Sequence, residues 1–195
     1  MDLTGVVKMS NTYGSNPELV LAGGGNTSYR DAENLYVKGS GQTLATIQAE
    51  GFVKLNRAAL DAIFTQTFSS DFDEREAQVL KAMMAARCAG EENKRPSVEA
   101  LLHEIIPSAY VLHLHPTAIG GLVCGKEGKA AFEKLFADEA IWLPPTMPGY
   151  LRYESVIAVP FGLDARFQFM LNTELGGSAF IYLRIQILLV FGYDA

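Results

Sequence analysis

Residues 109–115 constrain the fold of this chain most strongly, because their side chains follow the two-residue period of a β-strand. Successive side chains of a strand point to opposite faces of the sheet. The alternation assigns three side chains to each face: Tyr110, Leu112 and Leu114 to one, and Val111, His113 and His115 to the other. Pro116 ends the run. We therefore predict a strand with two imidazoles on one face.

Helical and strand-like segments alternate along the rest of the chain. Residues 96–106 carry apolar side chains at i, i+3, i+4, i+7 and i+8: Val98, Leu101, Leu102, Ile105 and Ile106. Further helices are predicted for residues 71–88, with a face of Ala77, Leu80, Met84 and Cys88, for 126–138, and from Arg57 behind an Asn56 N-cap. Further strands are predicted for residues 18–22, 34–38 and 51–56. This alternation predicts an α/β fold.

Length and charge exclude several classes of protein. The 195 residues fit a single domain, with an atypical or truncated segment from about residue 159, where charged residues become sparse. A net charge of −6 predicts no nucleic-acid partner. No signal peptide or stretch long enough to span a membrane is visible. Two distant cysteines indicate no disulfide framework, so we expect a cytoplasmic protein.

The paired histidines suggest a metal site. Two imidazoles on one strand face lie close enough to bind one zinc ion, although a pair of half-buried structural histidines would have the same spacing. Glu99, near the start of the preceding helix, is positioned to return toward them as a ligand or general base. It could equally be a first-turn acid that complements the helix dipole. We interpret His103, one turn beyond Glu99, as structural rather than ligating.

Two glycine-rich segments suggest an anion site. Residues 23–28 (GGGNTS) and 38–41 (KGSG) each follow a predicted strand. Bare backbone N–H groups beside Asn26, Ser28 and Lys38 suit a phosphate or carboxylate, as would Ser97 at a helix N-terminus. The alternative is two tight turns with a solvated lysine. The pattern fits neither the dinucleotide nor the P-loop motif, so no nucleotide is expected.

In this order, the elements resemble the class II aldolase/adducin family of metal-dependent sugar-phosphate aldolases and their epimerase relatives. The matching segments are residues 22–28, 38–41, 96–99 with His103, 113–116 and 142–149. The lysine-containing loop and the Met-Pro-Gly segment look most like the aldolase portion of bifunctional rhamnulose-1-phosphate aldolase/alcohol dehydrogenases. The resemblance covers about residues 15–150.

The resemblance implies a fold, a reaction and a set of roles. The fold would be three-layered, α/β/α, around a mainly antiparallel sheet, in a homotetramer. A zinc ion or another divalent metal would bind a phosphorylated ketose and stabilise the enediolate formed on C–C cleavage. His113 and His115 would be zinc ligands, and Glu99 the acid/base at the carbon next to the carbonyl. The phosphate would be held by Gly25, Asn26, Lys38, Gly39 and Ser97.

One departure from the family keeps three functions open. The family supplies a third zinc histidine from a later strand, in an Asn-His-Gly context. This chain has no histidine after His115, although residues 183–193 have the position and hydrophobicity of that strand. The leading hypothesis is an aldolase, whose activity the missing ligand could impair. The alternatives are a non-catalytic assembly module, as in the adducin branch, and a sugar-phosphate 4-epimerase.

Overall fold

A six-stranded sheet forms the centre of the molecule, in a computed structural model that describes residues 2–136, 142, 156–161 and 186–191. Its strands are β1 (Asn26–Arg30), β2 (Asn34–Lys38), β3 (Phe52–Asn56), β4 (Tyr110–Leu114), β5 (Val156–Phe161) and β6 (Gln186–Phe191), in the order β3-β2-β1-β4-β6-β5. Neighbouring strands are antiparallel except for the parallel pair β5 and β6. The predicted α/β class with a mainly antiparallel sheet is confirmed.

Helices cover both faces of the sheet. They are α1 (Thr4–Gly14), α2 (Arg57–Ile63), α3 (Phe72–Ala85), α4 (Ala100–Ile105), α5 (Thr117–Cys124) and α6 (Gly128–Phe136), with 3₁₀ turns at Leu44–Thr46 and Ala49–Gly51. Alternation along β2 shows the layers. Leu35 and Val37 belong to the core cluster that includes residues of α2, α3 and α4, whereas Tyr36 packs with Val6 of α1. The site described below lies between the sheet and α4.

Local signals fix two of the helix starts. The Asn56 side chain accepts a hydrogen bond from the Ala59 N–H at 2.9 Å, which caps α2. The Asp71 carboxylate accepts one from the Glu74 N–H at 3.0 Å, which caps α3. Each side chain satisfies a backbone donor that the first turn of a helix leaves unpaired. Both predicted helices are confirmed at these starts.

The predicted buried face of α3 is wrong. Val79 and Met83 are the fully buried side chains of this helix, whereas Ala77 is exposed, Met84 is only half-buried and Cys88 lies beyond its end. The helix carries apolar residues around more than one stripe. Packing against α2 and the sheet therefore selects the face, and spacing alone does not.

Residues 18–22 do not form the predicted strand. The chain turns there instead, with the N–H groups of Leu19 and Val20 donating to the Asn16 carbonyl. Val20 is buried because it packs beside Leu112 and Leu114 from this turn. The strand lies on the other side of the glycines, where the sequence Asn-Thr-Ser-Tyr-Arg has little apolar signal.

The last described strand lies where the sequence places one. β6 falls within residues 183–193 and pairs antiparallel with β4, and Leu188 occupies the register position opposite His113. Most of the segment from residue 159 onward, and residues 143–149 of the family-like motif, lie outside the described residues. Among the helices described, none is long and apolar enough to cross a membrane.

Candidate active site

Two histidines meet at the end of β4. His113 is the penultimate residue of the strand and is fully buried, and His115 follows directly after its end. Their rings stack with centroids 4.9 Å apart and an interplanar angle of 24°. The structure thus brings together the pair that the alternation of residues 109–115 predicts on one face.

Glu99 lies beside these rings, at the N-cap position of α4 rather than inside the helix. The residue is only 7% exposed. Its Oε2 accepts a hydrogen bond from the Asn26 side-chain amide and lies 3.5 Å from His113 Nδ1. A buried carboxylate therefore faces the imidazole pair, which is the position that a metal ligand or general base at Glu99 requires.

The neighbouring groups decide the protonation of Glu99. Burial raises the pKa of a carboxyl group, but the positive charge and hydrogen bonding of His113, with smaller contributions from His103 and His115, outweigh it and lower the pKa of Glu99 to about 2. At neutral pH the group is a carboxylate. In that form it can accept a proton from a bound molecule.

Ser97 approaches Glu99 through the loop that precedes α4. The Ser97 Oγ lies 3.5 Å from Glu99 Oε2 and accepts a hydrogen bond from the Glu99 N–H at 3.2 Å. The predicted position of Ser97 at a helix N-terminus is wrong, because α4 begins only at Ala100. An isolated bridge between Gly39 and Pro96 and a hydrogen bond from the Ser97 N–H to the Lys38 carbonyl bring this loop to the sheet. Sheet-like pairing, not a helix dipole, places Ser97.

The remaining predicted anion-binding residues lie around the same loops. Gly25 has φ of +70°, and a Cβ there would lie 2.9 Å from the His113 carbonyl oxygen. Glycine is therefore required where the first loop reaches β4. Lys38 is buried, and its ammonium donates to the Gln42 carbonyl at 2.8 Å and the Gly23 carbonyl at 3.5 Å. Burial lowers the pKa of Lys38, which Glu99 partly offsets.

Lys38 thus links the two glycine loops, so the reading of it as a merely solvated lysine is wrong. Asn26 has its amide nitrogen committed to Glu99. Its Oδ1 has no partner among the described residues. The Gly39 N–H is also engaged, because it donates to the Gly51 carbonyl at 2.9 Å. The predicted set is therefore assembled in one place, with some of its polar groups already engaged.

His103 and Ser28 form a contact that the sequence pattern does not predict. His103 is fully buried on α4, and its Nδ1 lies 2.7 Å from Ser28 Oγ. Burial lowers the pKa of His103 to about 3, with repulsion from His113 adding to the effect. Ser28 lies inside β1, so it does not border an anion loop as expected. A strand at residues 26–30 places Asn26 and Ser28 on the same face of the sheet. The pairing could have been inferred from this alternation, but the polar composition of the segment did not indicate a strand.

The donors of this cluster fit part of a metal site. His113 Nδ1 faces Glu99 Oε2 at 3.5 Å, whereas His113 Nε2 is buried without a hydrogen-bond partner among the described residues, as expected of an imidazole that awaits a ligand. The stacked His113 and His115 rings would supply two ligands. Within the part of the chain that the structure describes, however, no group of three or more His, Cys, Asp or Glu residues is arranged to hold a metal ion. A complete ligand set would need a further donor.

Comparisons with known proteins show what the chain is similar to. Residues 6–158 match the family model of the class II aldolase and adducin N-terminal domain. The Bacillus subtilis (strain 168) protein described as "Uncharacterized oxidoreductase YuxG" is 30% identical over 154 residues, which are 74% of this chain but only 22% of that protein. A solved structure of the N-terminal class II aldolase domain of a conserved protein from Thermoplasma acidophilum matches with a TM-score of 0.58 at 27% identity, covering 83% of this chain and 68% of that one.

Proposed function

The chain belongs to the class II aldolase and adducin N-terminal domain family, and on that premise we propose that it is a divalent-metal-dependent aldehyde-lyase. Its reaction would be the retro-aldol cleavage of a phosphorylated ketose. The observation that carries the proposal is the buried Glu99 carboxylate, whose Oε2 lies 3.5 Å from a ring nitrogen of His113. Cleavage of this kind needs a proton acceptor and donor next to a centre that stabilises negative charge.

His113 and His115 would hold zinc or another divalent metal. The remaining ligands would not be histidines. When bound, the cation would offset the negative charge that develops on the substrate oxygens. The chain's own contribution is the placement of Glu99. The Asn26 amide and the Ser97 hydroxyl hold one carboxylate oxygen, and Glu99 would move the proton at the carbon next to the carbonyl.

The glycine loops would anchor the phosphate. Gly25 and Gly39 present backbone close to the site, Lys38 contributes a buried positive charge, and Ser97 and Asn26 border it. Anchoring the phosphate away from the bond that breaks holds the reacting carbons in one position. The acidic overall charge of −6 makes such a local cation necessary, because the protein as a whole does not attract anions.

For the substrate, we propose a ketose 1-phosphate similar to rhamnulose 1-phosphate. The lysine-containing loop of residues 38–41 supports this, since it looks like the aldolase portion of rhamnulose-1-phosphate aldolase/alcohol dehydrogenases. The relative described as an oxidoreductase supports the same proposal. The matched part is only 22% of its length, which leaves room in that protein for a separate dehydrogenase part. We further propose a cytoplasmic homo-oligomer, a tetramer by family resemblance, that binds neither nucleic acid nor membrane.

A substrate panel followed by ¹³C NMR tests this function. The protein is supplied with zinc and incubated with rhamnulose 1-phosphate, fuculose 1-phosphate or ribulose 5-phosphate. We expect dihydroxyacetone phosphate and a free aldehyde from the first substrate. A product that keeps its full carbon chain would instead identify a 4-epimerase, which shares the cleavage step. No conversion of any substrate would contradict both.

The second candidate function is a non-catalytic assembly module of the adducin kind. It is favoured by the lack of a three-residue metal cluster among the described residues. The buried, polar surroundings of Glu99 argue against it, because an assembly module has no need of a buried carboxylate beside two imidazoles. Stable oligomers that bind no metal and convert no ketose phosphate would establish it.

A further inference from the structure

A series of polar contacts joins one face of β1 to the segment that begins at Glu99. The side chains of Asn26, Ser28 and Arg30 alternate along the strand and therefore share a face. Asn26 contacts the Glu99 carboxylate, Ser28 contacts His103 at 2.7 Å, and Arg30 donates to the Glu104 carbonyl at 2.8 Å. The first of these contacts holds the proposed acid/base, and the second has no part in the function proposed above.

The Ser28–His103 contact lies directly behind the site. Ser28 is 1% exposed and His103 is 0% exposed, so water does not compete for the bond. The His103 ring centroid is 6.4 Å from that of His113. The backbone N–H of His103 donates to the backbone carbonyl of Glu99 at 3.1 Å in the first turn of α4. His103 therefore borders His113 through its ring and Glu99 through its backbone.

We propose that His103, oriented by Ser28, is a positioning residue for His113 and Glu99. This deepens the proposed function and rests on it. An imidazole with one nitrogen hydrogen-bonded has a fixed ring orientation and tautomer, and it then presents a constant surface to its neighbours. Groups behind the direct ligands of a site commonly control its affinity in this way, and their loss lowers metal affinity or activity about 10- to 100-fold.

The alternative is that the bond only stabilises the fold. A buried hydroxyl pair on the opposite face of the same strand offers a matched comparison, because Ser10 Oγ and Thr27 Oγ1 lie 2.7 Å apart and both are fully buried. Ser10→Ala removes a buried hydroxyl that is hydrogen-bonded to β1. Ser28→Ala removes a buried hydroxyl that belongs to β1 itself. A merely structural role predicts similar effects from the two substitutions.

The experiment compares the full chain with its Ser28→Ala, His103→Asn and Ser10→Ala variants by two measurements. The first is the affinity and visible absorption spectrum of added Co²⁺ alone. The second is ¹⁵N NMR of the imidazole nitrogens in metal-free protein. We expect Ser28→Ala to weaken Co²⁺ binding about 10- to 100-fold and to shift the His113 nitrogen signals. Ser10→Ala should change neither, and His103→Asn, which keeps a polar atom near Nδ1, should lie between.

Each outcome decides the proposal. If Ser28→Ala and Ser10→Ala leave the His113 signals and the Co²⁺ spectrum equally unchanged, His103 is not a positioning residue. If the native protein binds no Co²⁺, the metal-dependent function fails, but the NMR signals of metal-free protein still test the role of His103. Shifted His113 signals in Ser28→Ala alone would then support that role without the function.

Discussion

Glu99 Oε2 lies 3.5 Å from His113 Nδ1, and both side chains are buried between α4 and the sheet. The contact joins residues from two different elements, the N-cap of α4 and the end of β4. It keeps the carboxyl group ionised in a place where burial alone would neutralise it. The acid/base role proposed for Glu99 depends on this contact.

Glu99→Gln should abolish most of the proposed activity while the protein stays folded. The amide has the same shape but neither accepts nor donates the proton, so we expect kcat for retro-aldol cleavage to fall at least about 100-fold. Glu104→Gln provides the control, because Glu104 is a second buried glutamate of the same segment, paired with Arg57 at 2.8 Å outside the site. It should lower the free energy of unfolding with little change in kcat. Equal losses of activity in both variants would contradict the assignment.

Three glycine substitutions separate strain from close contact. Gly25→Ala places a Cβ 2.9 Å from the His113 carbonyl oxygen at a φ of +70°, so we expect it to lower the free energy of unfolding by about 2 to 4 kcal/mol. Gly41→Ala has a φ of +84° but open space and should cost about 1 to 2 kcal/mol. Gly23→Ala has neither a positive φ nor a close neighbour, so it should change the free energy of unfolding by less than about 0.5 kcal/mol. Urea unfolding measures all three, and an equal effect at Gly25 and Gly23 would refute the close approach.

Lys38→Met should weaken phosphate binding more than catalysis. Methionine fills a similar volume without the charge, so we expect KM for the sugar phosphate to rise about 10-fold or more with a smaller change in kcat. Inhibition by inorganic phosphate should weaken in parallel. Lys54→Met is the control, because Lys54 lies on β3 with its ammonium 5.9 Å from the centre of the Tyr36 ring. An unchanged KM in Lys38→Met would show that this lysine only links the loops.

Burial of neutral His103 predicts a specific dependence of stability on pH. Its pKa is lowered to about 3 in the folded protein by burial, from 6.5 when unfolded. Between these values the unfolded chain binds more protons, so this residue's contribution to stability falls as pH drops below 6.5, by up to about 1.4 kcal/mol per pH unit. Glu99, whose pKa is lowered from 4.5 to about 2, loses its contribution only at lower pH.

Urea unfolding of the native protein and of His103→Asn at pH 7, 6 and 5 measures this effect. The difference in the free energy of unfolding between the two should shrink as pH falls. Only the native chain has an imidazole that takes up a proton on unfolding, which favours its unfolded state at low pH. A difference that is constant over this range would show that the pKa of His103 is not lowered in the folded protein.

Part of the fold and site follows from local chemistry. Strand alternation places His113 and His115 on one face, and the Asn56 and Asp71 caps mark two helix starts, because these signals depend only on neighbouring residues. The strand at residues 26–30 was not predictable, since its polar side chains pair with α1 and α4 rather than with a generic apolar core. Helix α1 was missed for a similar reason: of its residues, Val6 and Ser10 are buried, and Ser10 is polar.

The contacts of the site depend on long-range pairing that a single sequence does not encode locally. Glu99 reaches Asn26 across 73 residues of chain, and Ser28 reaches His103 across 75. The β1–β4 register, which sets Asn26 opposite His113, brings both contacts to one place. Sequence reasoning could therefore name most of the participants but could not assign the partner of each.

The most direct test of the central claim is the rate of dihydroxyacetone phosphate formation from rhamnulose 1-phosphate, measured with the native chain and His113→Ala, each with added zinc and after chelation. We predict cleavage by the native chain that is lost on chelation and restored by zinc, and none above background from His113→Ala under any condition. Cleavage that survives both chelation and the loss of His113 would contradict a metal-dependent aldolase built on this site.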